Sequence, residues 1–197
     1  MKIGLTGGIG SGKTTAAKVF ESLHIPVFYA DDVSKSILDS DPKIIEQLSI
    51  KFGKELYADG QLNRALLAQK VFQDKEAIGY LNSLVHPAVA KAFADWHAEQ
   101  KAPYVLQEAA ILFETGSYQK FDAMILVTAP EELRIKRVMH RNGWSREEVL
   151  GRMKNQWGDE KKIELANYLV NNDENQMLVP QILKIHENII SRANQSG

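Results

Sequence analysis

Short apolar runs alternate with longer amphipathic segments along most of the chain. The apolar runs have the length of buried strands and lie at residues 2–6, 25–29, 104–108, 123–128 and 168–171. Apolar residues at helical spacing follow the first run over Lys13–Leu23 and recur in the tail at Leu178, Ile182, Ile185 and Ile189. Strands that alternate with helices are typical of a parallel sheet covered by helices. The pattern therefore predicts an α/β three-layer sandwich with a five-stranded parallel sheet.

The stretch between the second and third runs differs, because its pattern is helical almost throughout. Turns are indicated there by Ser40-Asp41-Pro42, Asp59-Gly60 and His86-Pro87. We interpret residues 33–101 as a helical insert that binds substrate. Further on, Asn142-Gly143 is predicted to end a helix that begins near Pro130. Ser145 and Glu148 have the spacing of a capping box that starts the next helix.

Composition excludes several classes of protein. The 24 basic and 25 acidic residues nearly cancel, so nothing indicates general binding of nucleic acid or anionic membranes. The chain has no cysteine, which excludes disulfides and thiolate metal sites and is typical of a reducing compartment. The glycine-interrupted N-terminal stretch is not expected to act as a signal peptide, and no run of 18 apolar residues is present. We expect a cytoplasmic protein that binds phosphate only locally.

The first strand runs into a phosphate-binding motif. Gly7-x-x-x-x-Gly12-Lys13-Thr14 matches the pattern G-x-x-x-x-G-K-[ST] and stands between a predicted strand and a predicted helix. Glycines allow close approach of backbone N–H groups to phosphates, and the helix start favours an anion. We call Gly7–Thr14 the phosphate loop. The alternative, a glycine-rich turn that only joins strand to helix, does not require the lysine.

The phosphate loop predicts a nucleoside triphosphate as the ligand. Lys13 is expected to reach the β and γ phosphates, and the Thr14 hydroxyl is expected to bind Mg²⁺. The predicted ATP-binding residues in and beside the loop are Gly8, Gly10, Ser11, Gly12, Lys13, Thr14 and Thr15. A GTPase would need an Asn-Lys-x-Asp segment, and Asn171-Asn172-Asp173 lacks the lysine.

A basic segment over residues 131–157 resembles the lid of small P-loop kinases, and we call it the lid segment. Its cations are Arg134, Lys136, Arg137, Arg141, Arg146, Arg152 and Lys154. A lid supplies arginines to the transferring phosphoryl group and excludes water. Arg137 and Arg141 lie four residues apart on one helix face, so one is expected to stack on adenine and the other to reach phosphate. The alternative for each arginine is a solvated surface charge.

Phosphoryl transfer to a hydroxyl also calls for a carboxylate. Asp31 and Asp32 follow the second predicted strand, at the sheet edge where open α/β sheets bind ligands. We expect Asp31 to be the base, although both aspartates are also suited to cap a helix that starts at Val33. Glu108 ends another strand and is expected to hold the Mg²⁺ shell through water or to orient a substrate hydroxyl. Which of Asp31 and Glu108 lies nearer the metal stays open.

These residues together resemble the dephospho-CoA kinase family, which phosphorylates the ribose 3′-hydroxyl of dephospho-CoA in the last step of coenzyme A synthesis. Residues 3–15 are similar to the family's phosphate loop. Tyr29-Ala30-Asp31 falls where the family has Asp-Ala-Asp, and Val33-Ser34-Lys35 falls where Ile-Ala-Arg is common. The family's catalytic aspartate therefore maps onto Asp31, while Tyr29 and Lys35 depart from the pattern.

The resemblance continues through the rest of the chain. Residues 108–114, EAAILFE, are similar to the family's D-x-P-L-L-F-E, with Glu108 in place of aspartate and Ala110 in place of proline. Matches to the helical insert and to the lid and its exit are Leu62-Asn63-Arg64, Val71-Phe72, Leu81-Asn82, His86-Pro87, Arg137-x-x-x-Arg141, Arg152-x-x-x-Gln156, Lys161, Ala166-Asn167-Tyr168 and Asn171.

The resemblance implies ATP with Mg²⁺ as donor, dephospho-CoA as acceptor, and a monomer or small homo-oligomer. It implies a nucleotide core at residues 1–32, 102–130 and 158–197, a CoA-binding insert at 33–101 and a lid at 131–157. Arg64, His86 and Leu112 become substrate-binding candidates. Arg64 is equally suited to a surface ion pair and Leu112 to the core, whereas His86 before Pro87 is better suited to a buried, hydrogen-bonded turn.

Two rival functions remain at this stage. Another small-molecule kinase, acting on a nucleoside monophosphate or shikimate, would share the loop and the lid. A regulatory protein that binds ATP without transferring phosphate would need neither a base nor a lid that excludes water.

Overall fold

A computed structural model describes residues 1–58, 60–71 and 74–195. Its strands are β1 (Lys2–Thr6), β2 (Val27–Tyr29), β3 (Val105–Glu108), β4 (Ala123–Thr128) and β5 (Tyr168–Asn171). Its helices are α1 (Lys13–Ser22), α2 (Ala30–Ser40), α3 (Pro42–Phe52), α4 (Arg64–Val71), α5 (Lys75–Ala98), α6 (Glu131–Asn142), α7 (Arg146–Met153), α8 (Asp159–Ile163) and α9 (Leu178–Gln195). The chain forms two compact units, residues 1–29 with 100–197 and residues 30–99.

The first unit is built on a parallel five-stranded sheet with the order β2-β3-β1-β4-β5. β1 occupies the centre, so its C-terminal end opens onto the middle of the sheet edge. Ile3 and Leu5 of β1 pack with Phe20 of α1 and with Ile182 and Ile189 of α9, and all five are fully buried. This cluster fixes the positions of both helices over one face of the sheet. The predicted α/β fold with a five-stranded parallel sheet is confirmed.

Most predicted elements of this unit are found within one or two residues of their expected ends. The second strand is shorter than predicted and starts at Val27, because Pro26 has no N–H to donate to a sheet ladder. α9 begins at Leu178 and accommodates Pro180 in its first turn, where no intrahelical N–H bond is lost. Gly143 ends α6 with a left-handed φ of 69°. Ser145 and Glu148 form the predicted capping box of α7.

The second unit contains α2, α3, α4 and α5 and a 3₁₀ turn at Lys54–Tyr57. Its interior is formed by the buried apolar residues Ile44, Leu48, Phe52, Leu56, Leu62, Leu67 and Ala77. Asp41 caps α3 by accepting hydrogen bonds from the N–H groups of Lys43 and Ile44, as the predicted turn at Ser40-Asp41-Pro42 requires. Asp59 of the predicted Asp59-Gly60 turn and Phe72 of the Val71-Phe72 family match lie outside the described residues.

Two predictions for this unit are wrong. His86-Pro87 forms no turn, because α5 runs through it from Lys75 to Ala98 with Pro87 inside the helix. A proline there removes one backbone hydrogen bond, and burial of Val85 and Phe93 on the same helix compensates for that loss. α2 also starts at Ala30 rather than at Val33, so it follows β2 directly. The helices within the described residues lack the combination of length and hydrophobicity that a membrane span requires.

Candidate functional site

The phosphate loop leaves the C-terminal end of β1 and leads directly into α1. Two of its glycines have left-handed backbone conformations, with φ of 79° at Gly10 and 95° at Gly12. L-residues with side chains rarely adopt these angles, so the glycines are needed for the turn. The N–H of Ser11 donates to the carbonyl of Gly8 at 3.0 Å, which closes the loop.

The start of α1 is open to an anion. Gly12 occupies the N-cap position and provides no side-chain hydrogen bond to the first turn. The N–H groups at a helix start point outward and carry the positive end of the helix dipole. The hydroxyl of Ser11 is buried and has no hydrogen-bond partner among the described residues. The loop therefore offers donors to a phosphate group.

Lys13 and Glu108 form an ion pair beside the loop. The Lys13 ammonium lies 3.5 Å from the Glu108 carboxylate, and the two side chains are 14% and 7% exposed. The pair forms because β1 and β3 are neighbours with Leu5 opposite Glu108, so the last residue of β3 lies close to the first residue of α1. The sequence predicted both residues for the site, and the structure brings them together.

The arrangement fits a magnesium ion that arrives with ATP. Thr14 lies exposed in the first turn of α1, where its hydroxyl can bind a cation held by phosphates. Among the described residues, no group of three or more histidines, cysteines or acids forms a ready metal site. Mg²⁺ prefers oxygen ligands and keeps several waters, so one hydroxyl, phosphate oxygens and water satisfy it. Glu108 is suited to contact that shell through water.

Three side chains from distant parts of the chain hold the loop. The Ile9 N–H donates to Oε1 of Gln156 at 2.8 Å, and the Ile9 carbonyl accepts from Nε of Arg134 at 3.0 Å. The carbonyl of Ser11 accepts from Nδ2 of Asn172 at 2.8 Å. None of these three residues was predicted from the sequence to contact the loop. The one sequence signal for a role of Arg134 at the loop is its position on the same helix face as Arg137, three residues later.

The two arginines predicted to contact ATP, Arg137 and Arg141, lie in α6 and are bonded to other side chains of the first unit. Nη2 of Arg137 lies 3.1 Å from the Glu174 carboxylate, while Nη1 is buried with no partner among the described residues. Nε of Arg141 donates to the side chain of Asn142 at 2.9 Å. The contacts of Arg137 and Arg141 with ATP stay predictions.

Asp31 and Asp32 lie in the first turn of α2, where carboxylates interact favourably with the helix dipole. The Asp32 carboxylate is paired with Nζ of Lys35 at 2.7 Å. In the described ranges, no side-chain hydrogen bond or ion pair holds Asp31, which is exposed. The position of Asp31 two residues after β2 agrees with its predicted place in the chain, and its role as base stays a prediction.

Arg64 is paired within the second unit. Its Nη1 and Nη2 donate to the two carboxylate oxygens of Asp39, each at 2.9 Å, and Nη2 also lies 3.4 Å from the carbonyl of Lys35. The hydrogen bond from Arg64 lowers the pKa of the Asp39 carboxyl. The surface ion pair that the sequence allowed is therefore present, and binding of a substrate phosphate would have to replace or extend it.

The two other substrate candidates are His86 and Leu112. His86 is exposed on α5, so its interpretation as a buried turn residue is wrong. Leu112 is 4% exposed and Phe113 is fully buried. Leu112 packs against β1 so closely that a Cβ added at Gly4 would lie 3.1 Å from it. Leu112 therefore occupies the core position that the sequence allowed as the alternative, and its contact with the acceptor stays a prediction.

The end of the EAAILFE motif makes a buried ion pair that the sequence did not predict. Nζ of Lys162 is fully buried and lies 2.8 Å from Oε1 of Glu114. The contact is an ion pair whose geometry is not that of a hydrogen bond. The same oxygen accepts from the N–H of Trp157 at 2.9 Å. Breaking a buried pair is strongly destabilising, so the pair fastens the chain after α7 to the chain after β3.

Comparison with known proteins identifies the family. The family model for dephospho-CoA kinase matches residues 1–177. A dephospho-CoA kinase from Chlorobium chlorochromatii is 38% identical over an alignment of 200 positions, which covers 97% of this chain and 94% of that one. A dephospho-CoA kinase from Bacteroides fragilis is 36% identical over 186 residues, or 94% of this chain and 91% of its own.

The likeness extends to three-dimensional structure. A protein of solved structure from Thermus thermophilus superposes with a TM-score of 0.82 at 32% identity, over 98% of this chain and 97% of its own. The family match covers the phosphate loop, the second unit, the lid segment and the sheet in one run. This chain belongs to the dephospho-CoA kinase family.

Proposed function

We propose that the protein transfers the γ-phosphoryl group of ATP to the ribose 3′-hydroxyl of dephospho-CoA, giving coenzyme A and ADP. The observation that carries the proposal is the family match over residues 1–177, which includes an intact phosphate loop with an uncapped helix start. The same match does not favour a nucleoside monophosphate kinase or a shikimate kinase. It also does not favour a regulator that only binds ATP.

In the proposed reaction, the residues of this chain bind the two substrates, align them and remove one proton from the acceptor hydroxyl. The loop N–H groups and Lys13 hold the β and γ phosphates in line with the acceptor. Asp31 accepts the proton of the ribose 3′-hydroxyl while the 3′-oxygen bonds to the γ phosphorus. The bond between the γ phosphorus and the β–γ bridging oxygen breaks at the same time and releases ADP. Mg²⁺, when bound with ATP by the Thr14 hydroxyl, supplies positive charge to the phosphate oxygens.

The direct test is product formation by the purified protein with Mg-ATP. Dephospho-CoA, AMP, CMP, shikimate and a blank without acceptor are compared by ADP release and by the mass of each product. We expect one added phosphate on dephospho-CoA alone. Transfer to another acceptor, or ADP release without any phosphorylated product, would contradict the proposal.

Arg141→Ala tests the lid segment. We expect kcat to fall about tenfold or more, since an arginine that stabilises transferring charge contributes on this scale. Hydrolysis of ATP without transfer should rise as a share of ADP release, because a lid also excludes water. Stopped assays of ADP and coenzyme A on the same samples measure the two rates. Identical rates in variant and parent would leave Arg141 a surface charge.

Arg64→Ala tests the second unit. If Arg64 binds a substrate phosphate, KM for dephospho-CoA should rise about tenfold while KM for ATP stays unchanged, because only one substrate loses a charge-assisted hydrogen bond. Asp39→Asn is the matched control, since it removes the same ion pair and keeps the guanidinium. Exposed pairs contribute about 0–1 kcal/mol, so thermal stability should hardly change in either variant. If KM for dephospho-CoA is the same in Arg64→Ala and Asp39→Asn, Arg64 acts only as the ion-pair partner of Asp39.

The proposal carries expectations about setting and assembly. We expect the enzyme to work in the cytoplasm on small molecules, without nucleic acid or membrane, as its net charge of -1 and lack of cysteine suggest. We expect a monomer or small homo-oligomer, which light scattering after gel filtration measures. The nucleotide core, the CoA-binding insert and the lid keep their sequence-based boundaries as part of this proposal.

A further inference from the structure

The backbone of Ile9 in the phosphate loop is held at both its N–H and its C=O by side chains from elsewhere in the first unit. The N–H of Ile9 donates to Gln156, and its carbonyl accepts from Nε of Arg134. Gln156 in turn donates to the carbonyl of Ala110 at 3.4 Å. The two peptide groups that flank the Ile9 Cα are thus each fixed by a side chain, 147 and 125 residues away in the sequence.

The guanidinium of Arg134 is itself fixed. Its side chain is 10% exposed, and Nη1 lies 3.2 Å from Oδ2 of Asp159, the first residue of α8. A planar guanidinium with one donor on the loop and another on a carboxylate has little freedom to rotate. Asp159 therefore orients the donor that reaches Ile9.

The loop glycines are shaped to the helix that carries Arg134. A Cβ added at Gly8 would lie 2.2 Å from Nη2 of Arg134, and a Cβ at Gly10 would lie 2.5 Å from the Arg134 carbonyl. Both distances are far below ordinary contact. The absence of side chains at these two positions therefore admits α6 and its guanidinium as well as a phosphate.

We propose that Arg134 is a positioning residue for nucleotide binding, acting through the Ile9 carbonyl, with Asp159 holding its guanidinium. The proposal rests on the proposed function for the identity of the nucleotide. A loop that is already fixed before ATP arrives loses little further freedom on binding, so its N–H groups meet the phosphates without rearrangement. If the Ile9 carbonyl loses its hydrogen bond from Arg134, the loop is less ordered before ATP arrives. Nucleotide binding must then also order the loop, which weakens the binding.

Arg134→Lys separates this role from a structural one. Lysine keeps the positive charge beside Asp159 but cannot donate to both Asp159 and Ile9 in the guanidinium geometry. We expect the Kd of a non-hydrolysable ATP analogue with Mg²⁺, measured by calorimetry, to rise about tenfold, the scale of a lost charge-assisted hydrogen bond. The melting temperature should stay close to that of the parent, and KM for dephospho-CoA should be unchanged.

Asp159→Asn is the second variant and keeps the shape of the side chain. It leaves the bond from Arg134 to Ile9 in place but weakens its support, so we expect a smaller rise in Kd, about threefold. Arg192→Gln on α9 is the matched control, because Arg192 donates to the Tyr168 hydroxyl and to the carbonyl of Asp122 rather than to the phosphate loop. It should bind the analogue as the parent does.

Three outcomes would overturn the proposal: parental Kd in Arg134→Lys, an equal rise in the Arg192→Gln control, or a loss of melting temperature that alone explains weaker binding. If Arg134→Lys does not fold, Asp159→Asn decides, and an unchanged Kd there overturns it as well. Analogue binding does not depend on the acceptor. Failure to phosphorylate dephospho-CoA would therefore count against the proposed function and leave this test intact.

Discussion

Lys13→Met is expected to lower kcat/KM for phosphoryl transfer by about a thousandfold, the largest effect of any single change considered. The lysine ammonium is the charge that the phosphate loop directs at the β and γ phosphates. Loss of one preorganised donor to a developing negative charge lowers kcat by about 10²–10³-fold, and weaker ATP binding adds to this. Steady-state kinetics with varied ATP, together with calorimetric binding of Mg-ATP analogues, measure the two parts separately.

The ion pair of Lys13 with Glu108 requires a control for stability. Removal of the ammonium changes the surroundings of a carboxylate that is 7% exposed, so the single variant is also expected to melt lower. The double variant Lys13→Met with Glu108→Gln removes both charges and should recover melting temperature. It should not recover turnover. Recovery of turnover in the double variant would show that Lys13 acts only by neutralising Glu108.

Asp31→Ala is expected to lower kcat by about two or more powers of ten while ATP binding stays nearly intact. A positioned base contributes about 10²–10⁴-fold, and the loss falls on kcat because the base acts on the acceptor proton in the transition state. Asp31→Asn should behave in the same way, since it keeps the shape and removes the basic oxygen. Rapid-quench measurement of a single turnover tests the chemical step directly.

Asp32→Ala gives the comparison that assigns the base. Asp32 lies next to Asp31 in the first turn of α2 but is paired with Lys35 at 2.7 Å. A loss confined to Asp31 variants supports the proposed assignment. Near-normal turnover of Asp31→Ala with a large loss in Asp32→Ala would move the role to Asp32, and two mild effects would remove both carboxylates from the chemistry.

Local sequence was sufficient wherever the determining interaction spans a few residues. The phosphate loop followed from glycine and lysine spacing between a strand and a helix, and the capping box at Ser145 and Glu148 followed from a three-residue interval. The predicted boundaries of helices were wrong where tertiary packing overrode a local preference. α5 continues through Pro87, because burial of apolar residues on both sides of the proline stabilises the helix more than the lost hydrogen bond weakens it.

The sequence by itself determined the fold class, the phosphate loop with Lys13 and Thr14, and Asp31 as the candidate base after β2. Only the tertiary structure decided the strand order, the pairing of Lys13 with Glu108, and the support of the loop by Arg134, Gln156 and Asn172. Helical spacing and turn preferences act over a few residues, so a sequence displays them directly. A hydrogen bond between Arg134 and Ile9 depends instead on how the sheet and its helices bring residues 125 positions apart into contact, and no local pattern records that distance.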